Sequence, residues 1–235
     1  MSYGYDLGIP AAQAQADERA TFIRRTYGHL AVAILGFVAL TAGLCSIPGI
    51  EGFIAKMTQS QISWLVVMGM FMFVSWIAER WAQSNTSLGM QYAGLALYVV
   101  AQSIVFLPLI YIAAFLIKDQ TVLPTAGILT LGVFGGLSTA VLVTKKDFSF
   151  LGPILSVAGW LALAFIVAAV IFGFSLGLIF SFAMVAFASA AILYQTSNVL
   201  HYYPTNMYVA AALALFAAVA LLFWYILRIL IATRE

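Results

Sequence analysis

The sequence predicts an all-α integral membrane protein, with seven transmembrane helices arranged as six around a central, alanine-rich seventh helix. Of the 235 residues, 64% are hydrophobic and 8% are charged, whereas a soluble domain has roughly 45–50% and 25%. The charged residues fall in short clusters, separated by long uncharged segments. A membrane-spanning helix needs about 20 apolar residues, so each uncharged segment is a candidate for one or more spans.

Five uncharged segments divide the chain, at residues 26–50, 57–78, 81–117, 120–144 and 148–227. The first four have room for one span each, and the last for three. The breaks within the last segment are predicted at the Gly173 turn and at the polar stretch Gln195–Asn206. The seven predicted spans are Tyr27–Ile47, Ile62–Ala78, one within Leu88–Ile117, Val122–Val143, Leu151–Phe172, Leu176–Tyr194 and Met207–Leu227. Residues 1–21 form a predicted polar N-terminal tail, and residues 22–235 the transmembrane domain.

Small side chains indicate which spans lie inside the bundle, because helices in lipid need them for close packing. Alanine stands on nearly every side of span 7, which favours an enclosed position, although alanine is also simply a good helix former. Gly132 and Gly136 in span 4, and Ala183 and Ala186 in span 6, predict interior helices there too. In span 3, Pro108 predicts a kink or tilt.

Orientation follows from lysine and arginine near the span ends, which favour the cytoplasmic side. A cytoplasmic N-terminus places six of them inside and four outside. The inside set is Arg19, Arg24, Arg25, Arg80, Lys145 and Lys146, and the outside set is Lys56, Lys118, Arg228 and Arg234. An odd number of spans then predicts an external C-terminus.

Few residues could carry chemistry. Spans 5 to 7 contain no Asp, Glu, Lys or Arg, although ionisable groups inside a span normally mark function. Cys45 is the single cysteine, and His29 and His201 lie at predicted span ends without a zinc or hydrolase motif. The sequence therefore predicts no catalytic residue, no metal site and no cofactor. The net charge of +2 is too small and scattered for a nucleic-acid surface.

The remaining candidates are polar residues at span ends. Glu79 and Arg80 close span 2, either as an interfacial pair or with one side chain folded inward to seal a cavity. Gln195 and Asn198 belong to the polar end of span 6. They form either a C-terminal cap and turn or part of a pore.

Two strings then become recognisable. TKKDFSFLG at residues 144–152 and AILYQTSNVLH at residues 191–201 resemble signatures of the Bax inhibitor-1 family, particularly its bacterial YccA-like branch. The string FIRRTY at residues 22–27 resembles the start of that family. The resemblance covers residues 22 to about 230, and it implies six helices around a central seventh.

The resemblance also implies a latch or pore that this chain does not fully reproduce. In calcium-conducting relatives a carboxylate occupies the position of Gln195, and it pairs with an Asp aligned with Ala218. Two facing carboxylates share a proton, which makes such a pore sensitive to pH. Glutamine cannot titrate and alanine cannot bind calcium, so both the pH latch and a carboxylate calcium site are in doubt here. Gln195 could instead hydrogen-bond to Arg80, if that side chain reaches inward.

Two functions follow from the resemblance. In the first, the protein is a non-catalytic regulator in the bacterial inner membrane that modulates a membrane-anchored AAA+ protease of the FtsH type. In the second, it is a passive cation leak for calcium. The absence of both carboxylates favours the regulator.

Overall fold

The computed structural model describes residues 9–84 and 87–234, and nearly all of this part is helical. Seven of the described helices are long and apolar enough to cross a membrane, as the sequence predicted. A short additional helix, α2, was not predicted. The helices are α1 Ala16–Cys45, α2 Ile50–Thr58, α3 Gln61–Ala82, α4 Leu88–Tyr111, α5 Val122–Thr144, α6 Leu151–Phe172, α7 Gly177–His201 and α8 Tyr208–Arg234. After Pro108, α4 passes into a π-helical turn at Ile112–Leu116.

The centre of the bundle is α8, as the alanines of span 7 predicted. In the apolar stretch of α8, 72% of the residues are buried, whereas the corresponding share in α6 is 6%. It packs against α1, α3, α4, α5 and α7, whereas α6 packs chiefly against α7 and α3. Ala211 and Ala212 are fully buried, so small side chains here allow several helices to approach one axis.

Spans 4 and 6 do pack on the central helix, as α5 and α7, but the small residues named in the sequence do not mark their packed faces. Gly132 and Gly136 of α5 are exposed, and a Cβ atom added at either would meet nothing within 4 Å. The packed face of α5 is formed by larger side chains at four-residue intervals, from Ala126 to Ser138. Close backbone approach occurs instead at Gly94 of α4, where a Cβ atom would lie 2.5 Å from the backbone nitrogen of Ala82 in α3.

Ala183 and Ala186 of α7 are likewise exposed. The same helix is longer than predicted, because it continues through the polar residues to His201. Gln195 and Asn198 are therefore helical rather than part of a cap or loop, and the α7–α8 loop comprises only residues 202–207.

The connections lie alternately on two faces of the bundle. One face, called the N-face below, holds the start of α1 and the α3–α4, α5–α6 and α7–α8 loops. There Ala11 donates its N–H to the carbonyl of Tyr203 at 2.9 Å, and the hydroxyl of Thr205 donates to Glu18 at 2.7 Å. The segment before α1 is thus packed on the α7–α8 loop, and α1 begins inside the predicted tail.

The opposite face, called the C-face, holds α2, the α4–α5 and α6–α7 loops and the end of α8. Arg234 forms a salt bridge with Asp119 there, and the Tyr111 hydroxyl donates to Glu51 at 3.0 Å. Ile50 and Met57 of α2 are buried, while its charged residues face outward, as in a helix lying at a membrane interface.

Candidate functional site

The two signature strings meet at the N-face. Ser197 of α7 accepts a hydrogen bond from the backbone N–H of Phe148 at 2.9 Å and donates one to Asp147 at 3.3 Å. The Tyr202 hydroxyl donates to the other oxygen of Asp147 at 2.5 Å. We call Asp147, Phe148, Ser197 and Tyr202 the signature junction. It holds the α5–α6 loop against the end of α7.

The charge of Asp147 is stabilised by this junction. The hydrogen bond from Tyr202 is the largest cause, followed by the backbone N–H of Ser149 at 2.8 Å, and together they lower the pKa of Asp147 to about 2. Hydrogen bonds to an ionised carboxylate favour the charged form. Asp147 is therefore an anion at any physiological pH.

His201 adds a histidine to the serine and aspartate of the junction, but the geometry is not that of a catalytic triad. Its Nδ1 lies 3.0 Å from the carbonyl oxygen of Ser197 and 3.4 Å from the Ser197 hydroxyl. In a triad the histidine stands between the serine and the carboxylate, whereas here Ser197 lies between the other two. Ser197 is also fully buried, so no substrate can reach its oxygen.

A cavity of about 530 Å³ lies between α6 and the central helix, and we call it the α8 cavity. Gln195 and Ala218, the two positions at which the family resemblance led us to expect carboxylates, both line it. Its walls come from α3, α4, α6, α7 and α8 and from the α6–α7 loop. The peripheral placement of α6 leaves this space open, because that helix packs chiefly on α3 and α7.

Most of the cavity wall is apolar, but several lining side chains are polar. Within the described part of the chain, Gln61, Gln102 and Gln195 make no side-chain hydrogen bond to one another or to any neighbour in this cavity. Gln102 is only 7% exposed, and its Oε1 atom is buried without a partner. A buried polar atom without a hydrogen-bond partner costs about 1–3 kcal/mol of stability, so the Gln102 amide destabilises the fold unless it gains a partner.

Arg228 is the single charged residue among those that line the α8 cavity. It lies in the last turns of α8, near the C-face, and is half-buried. In the described residues, the salt bridge that the structure holds is that of Arg234 with Asp119, and Arg228 has no carboxylate partner. An unpaired guanidinium makes the cavity electropositive at its C-face end.

The other predicted site residues lie elsewhere. Glu79 and Arg80 are exposed at the N-face, and neither lines the α8 cavity. The Arg80 guanidinium carbon lies 5.3 Å from the ring centroid of Trp76. The sequence interpretation in which Arg80 reaches inward to Gln195 was therefore wrong. Asn198 is half-buried, and its backbone carbonyl accepts hydrogen bonds from Tyr202 and Tyr203.

Sequence reasoning missed most of the polar residues of the cavity, Gln102 and Arg228 among them. Gln102 was detectable as an amide inside an apolar span, and Arg228 as a cation at the end of the most buried helix. What the sequence could not show is that both line the same space as Gln195. That relation depends on how α4, α7 and α8 pack.

Comparison with known proteins identifies the family. The model of the family described as inhibitor of apoptosis-promoting Bax1 matches residues 19–235. The chain is also similar to a protein of Pseudomonas aeruginosa named "Uncharacterized protein PA2604", with 29% identity over 228 residues, covering 94% of this chain and 93% of that relative. The match includes both strings of the signature junction and every residue that lines the α8 cavity. This multi-pass membrane protein belongs to the Bax inhibitor-1 family.

Proposed function

We propose that the protein is a non-catalytic regulator in the bacterial inner membrane, which modulates a membrane-anchored AAA+ protease of the FtsH type. The observation that carries the proposal is the chemistry of the α8 cavity. This space is the candidate path for a cation, yet it has Gln195 and Ala218 at the two carboxylate positions and Arg228 near its C-face end. Neither feature suits a calcium ion, which binds six to eight oxygen ligands and favours carboxylates.

The surroundings of the cavity support the same choice. Among the described residues, no group of three or more His, Cys, Asp or Glu side chains comes together in a way that could hold a metal ion. At the N-face, the signature junction uses its serine, carboxylate and hydroxyl to hold a loop rather than leaving them free for a substrate. A regulator that acts through contacts with another membrane protein needs neither an ion site nor a reactive group.

A passive cation leak is the second candidate, and the existence of the α8 cavity favours it. A cavity of this volume beside the central helix could become a continuous path if α6 moved away from α3 and α7. Cation flux would then have to pass the Arg228 guanidinium, which raises an electrostatic barrier.

The proposed function is tested by reconstituting the purified protein with an FtsH-type protease in the same liposomes. We expect the degradation rate of a membrane-protein substrate to change as the ratio of regulator to protease increases. The matched control is an unrelated seven-helix protein at the same ratio. An unchanged degradation rate at every ratio contradicts the proposal.

Ion flux through the protein alone is measured in parallel, with calcium-sensitive dye inside the liposomes. We expect little flux. Calcium entry that scales with the amount of protein would contradict the regulator and favour the cation leak as the function.

We further propose that the N-face is cytoplasmic and the C-face external. The charge count supports this orientation, since six lysines and arginines flank the N-face and four flank the C-face. Reporter fusions after Asp147 and after the C-terminus should give opposite signals. Equal signals would place both ends of α6 to α8 on the same side and contradict the orientation.

A further inference from the structure

A second cavity lies on the other side of the central helix from the α8 cavity, and its volume is about 580 Å³. We call it the α1–α5 cavity. Its floor is formed by Phe216, Val219, Ala220 and Phe223 of α8, and its walls by α1, α5 and the end of α4 with the π-helical turn. Space is left here because α1 packs chiefly on α4 and α8, whereas α5 packs chiefly on α7 and α8.

The polar side chains of the α1–α5 cavity already have partners in their own helices. Thr41, Ser46 and Thr130 donate their hydroxyls to carbonyls one turn earlier, at 2.7, 2.9 and 2.7 Å. The thiol of Cys45 behaves as a small apolar group, and none of the described residues that line the cavity is charged. A polar ligand would lose its hydration here without replacement, so the walls suit hydrocarbon.

The depth of this cavity corresponds to one leaflet of a bilayer. On α1 the lining extends from Ile34 to Cys45 at the C-face, a distance of about 17 Å along the helix. One leaflet contributes about 15 Å of hydrocarbon, half of the thickness of the bilayer core. On α5, which runs in the opposite direction, the lining begins at Leu123 near the C-face and ends at Leu131. An acyl chain of the C-face leaflet therefore has the right length.

The mouth of the cavity is continuous with the lipid-facing surface of the bundle. Val38 on α1, Phe115 in the π-helical turn and Leu131 on α5 all line the cavity, and all three are more than half exposed. Each belongs to a membrane-spanning segment, so its exposed side faces acyl chains. The phase next to the mouth is thus hydrocarbon, like the walls.

We propose that the α1–α5 cavity binds one acyl chain of a phospholipid from the C-face leaflet, which passes between α1 and α5 and contacts the central helix. The ester end of the chain lies near Cys45 and Leu123, and its terminal methyl group lies near Ile34 and Leu131. The proposal does not depend on the proposed function, since a lipid site and a protease contact can coexist or fail separately.

The test uses the purified full-length protein in phosphatidylcholine nanodiscs, with a small share of phosphatidylcholine that carries a diazirine in one acyl chain. Illumination links the chain to residues that it touches, and mass spectrometry of the peptides locates the links. Lipid around the bundle should label the peripheral α6. We expect additional label on the enclosed α8 at Val219 and Phe223, which line the cavity floor.

Two variants of α5 provide a matched comparison. Gly127 lines the cavity, whereas Gly132 is exposed outside it, and a Cβ atom added at either meets nothing within 4 Å. G127F should reduce the label on α8 about tenfold, which corresponds to about 1.4 kcal/mol of affinity, and should leave the label on α6 unchanged. G132F should change neither. C45F fills the cavity from α1 and should act like G127F, which provides a second variant if one does not fold.

The position of the diazirine along the chain tests the direction of insertion. A diazirine near the ester should label α1 and α5 near Cys45 and Leu123, and one near the terminal methyl group should label them near Ile34 and Leu131. A free hydrocarbon molecule has no fixed direction, so it would give no such order.

Three outcomes would overturn the proposal. Label on α6 without label on α8 means that lipid stays outside the bundle. Equal label on α8 in the wild type and in folded G127F or C45F means that the chain reaches α8 by another route. Label whose depth does not follow the position of the diazirine means that the occupant is not a chain held by its headgroup at the C-face.

Discussion

Gln195 and Ser197 lie two residues apart on α7, yet their surroundings differ completely. Ser197 is fully buried, and its hydroxyl is hydrogen-bonded to Phe148 and Asp147. Gln195 is half-buried and lines the α8 cavity. The comparison separates two uses of polar groups in the same signature string. A polar side chain with all its partners in the fold stabilises the fold, whereas one that faces a cavity without partners is available to a ligand.

The largest effect on the free energy of unfolding is expected on the side of α8 that packs against other helices, and a smaller one on the side that faces the α8 cavity. Ala212 is fully buried among neighbouring helices, so Ala212→Leu should overpack the bundle and cost about 1–3 kcal/mol of unfolding free energy. Ala218→Leu extends into the α8 cavity and should cost less. Thermal unfolding in detergent measures both.

Ala164→Leu on α6 is the matched control, because Ala164 is exposed on a peripheral helix and the change should stay within about 0.5 kcal/mol. If Ala212→Leu and Ala164→Leu unfold at the same temperature, α8 is not enclosed. Phe223 of α8 is unsuitable as a lipid-facing control, since its ring stacks on that of Phe106 with the ring centroids 5.8 Å apart.

A smaller effect should separate the signature junction from the cavity. Ser197→Ala leaves the N–H of Phe148 and an oxygen of Asp147 each without one partner, and should cost about 1–2 kcal/mol. Gln195→Leu removes a polar group that has no partner, and should be neutral or slightly stabilising. Chemical denaturation of the two variants under the same conditions provides the measurement. A larger loss for Gln195→Leu would mean that Gln195 is held by the fold after all.

The comparison also shows where sequence reasoning succeeds. The span count and the central position of α8 could be predicted because they depend on composition along one helix: charged clusters mark the ends of spans, and alanines make α8 narrow. The face on which a helix packs could not be predicted from the sequence. Gly132 and Gly136 have the right spacing for a helix contact, but nothing approaches them.

Helix ends were predicted least well where polar residues have tertiary partners. Glutamine and serine after Tyr194 suggested a cap, but α7 continues because Ser197 bonds to the α5–α6 loop. Similarly, α2 was hidden by Glu51 and Lys56, which made its segment look like a charged loop. The cavity combines residues from five helices, and no single string contains that information.

Acid should weaken the signature junction at a pH set by Asp147. Because its pKa is lowered to about 2, the carboxylate stabilises the fold fully above its ordinary pKa near 4. This contribution is lost as the pH falls toward 2, where the native carboxylate takes up a proton. Melting temperatures between about pH 2.5 and 6 should therefore fall more steeply for the wild type than for Asp147→Asn. Parallel curves of melting temperature against pH for the two proteins would show that the hydrogen bonds of Asp147 do not stabilise the fold.

The smallest effect is expected from placing at positions 195 and 218 the carboxylate pair that the family resemblance implies. The wild-type protein should show little pH dependence of any calcium flux between about pH 6 and 8, because no side chain that lines the α8 cavity titrates in that range.

In Gln195→Asp with Ala218→Asp, two carboxylates share the cavity, and repulsion between them raises the pKa of one. We expect a small pH-dependent flux in liposomes, and less in Gln195→Asp alone, where the acid has no partner. The gain stays small because Arg228 still opposes cations, so adding Arg228→Gln should increase it. His201 lies at the N-face against Ser197 rather than in the cavity. A wild-type protein that already conducts calcium with steep pH dependence, and keeps it in His201→Gln, would contradict both the reasoning about the carboxylate pair and the preference for a regulator.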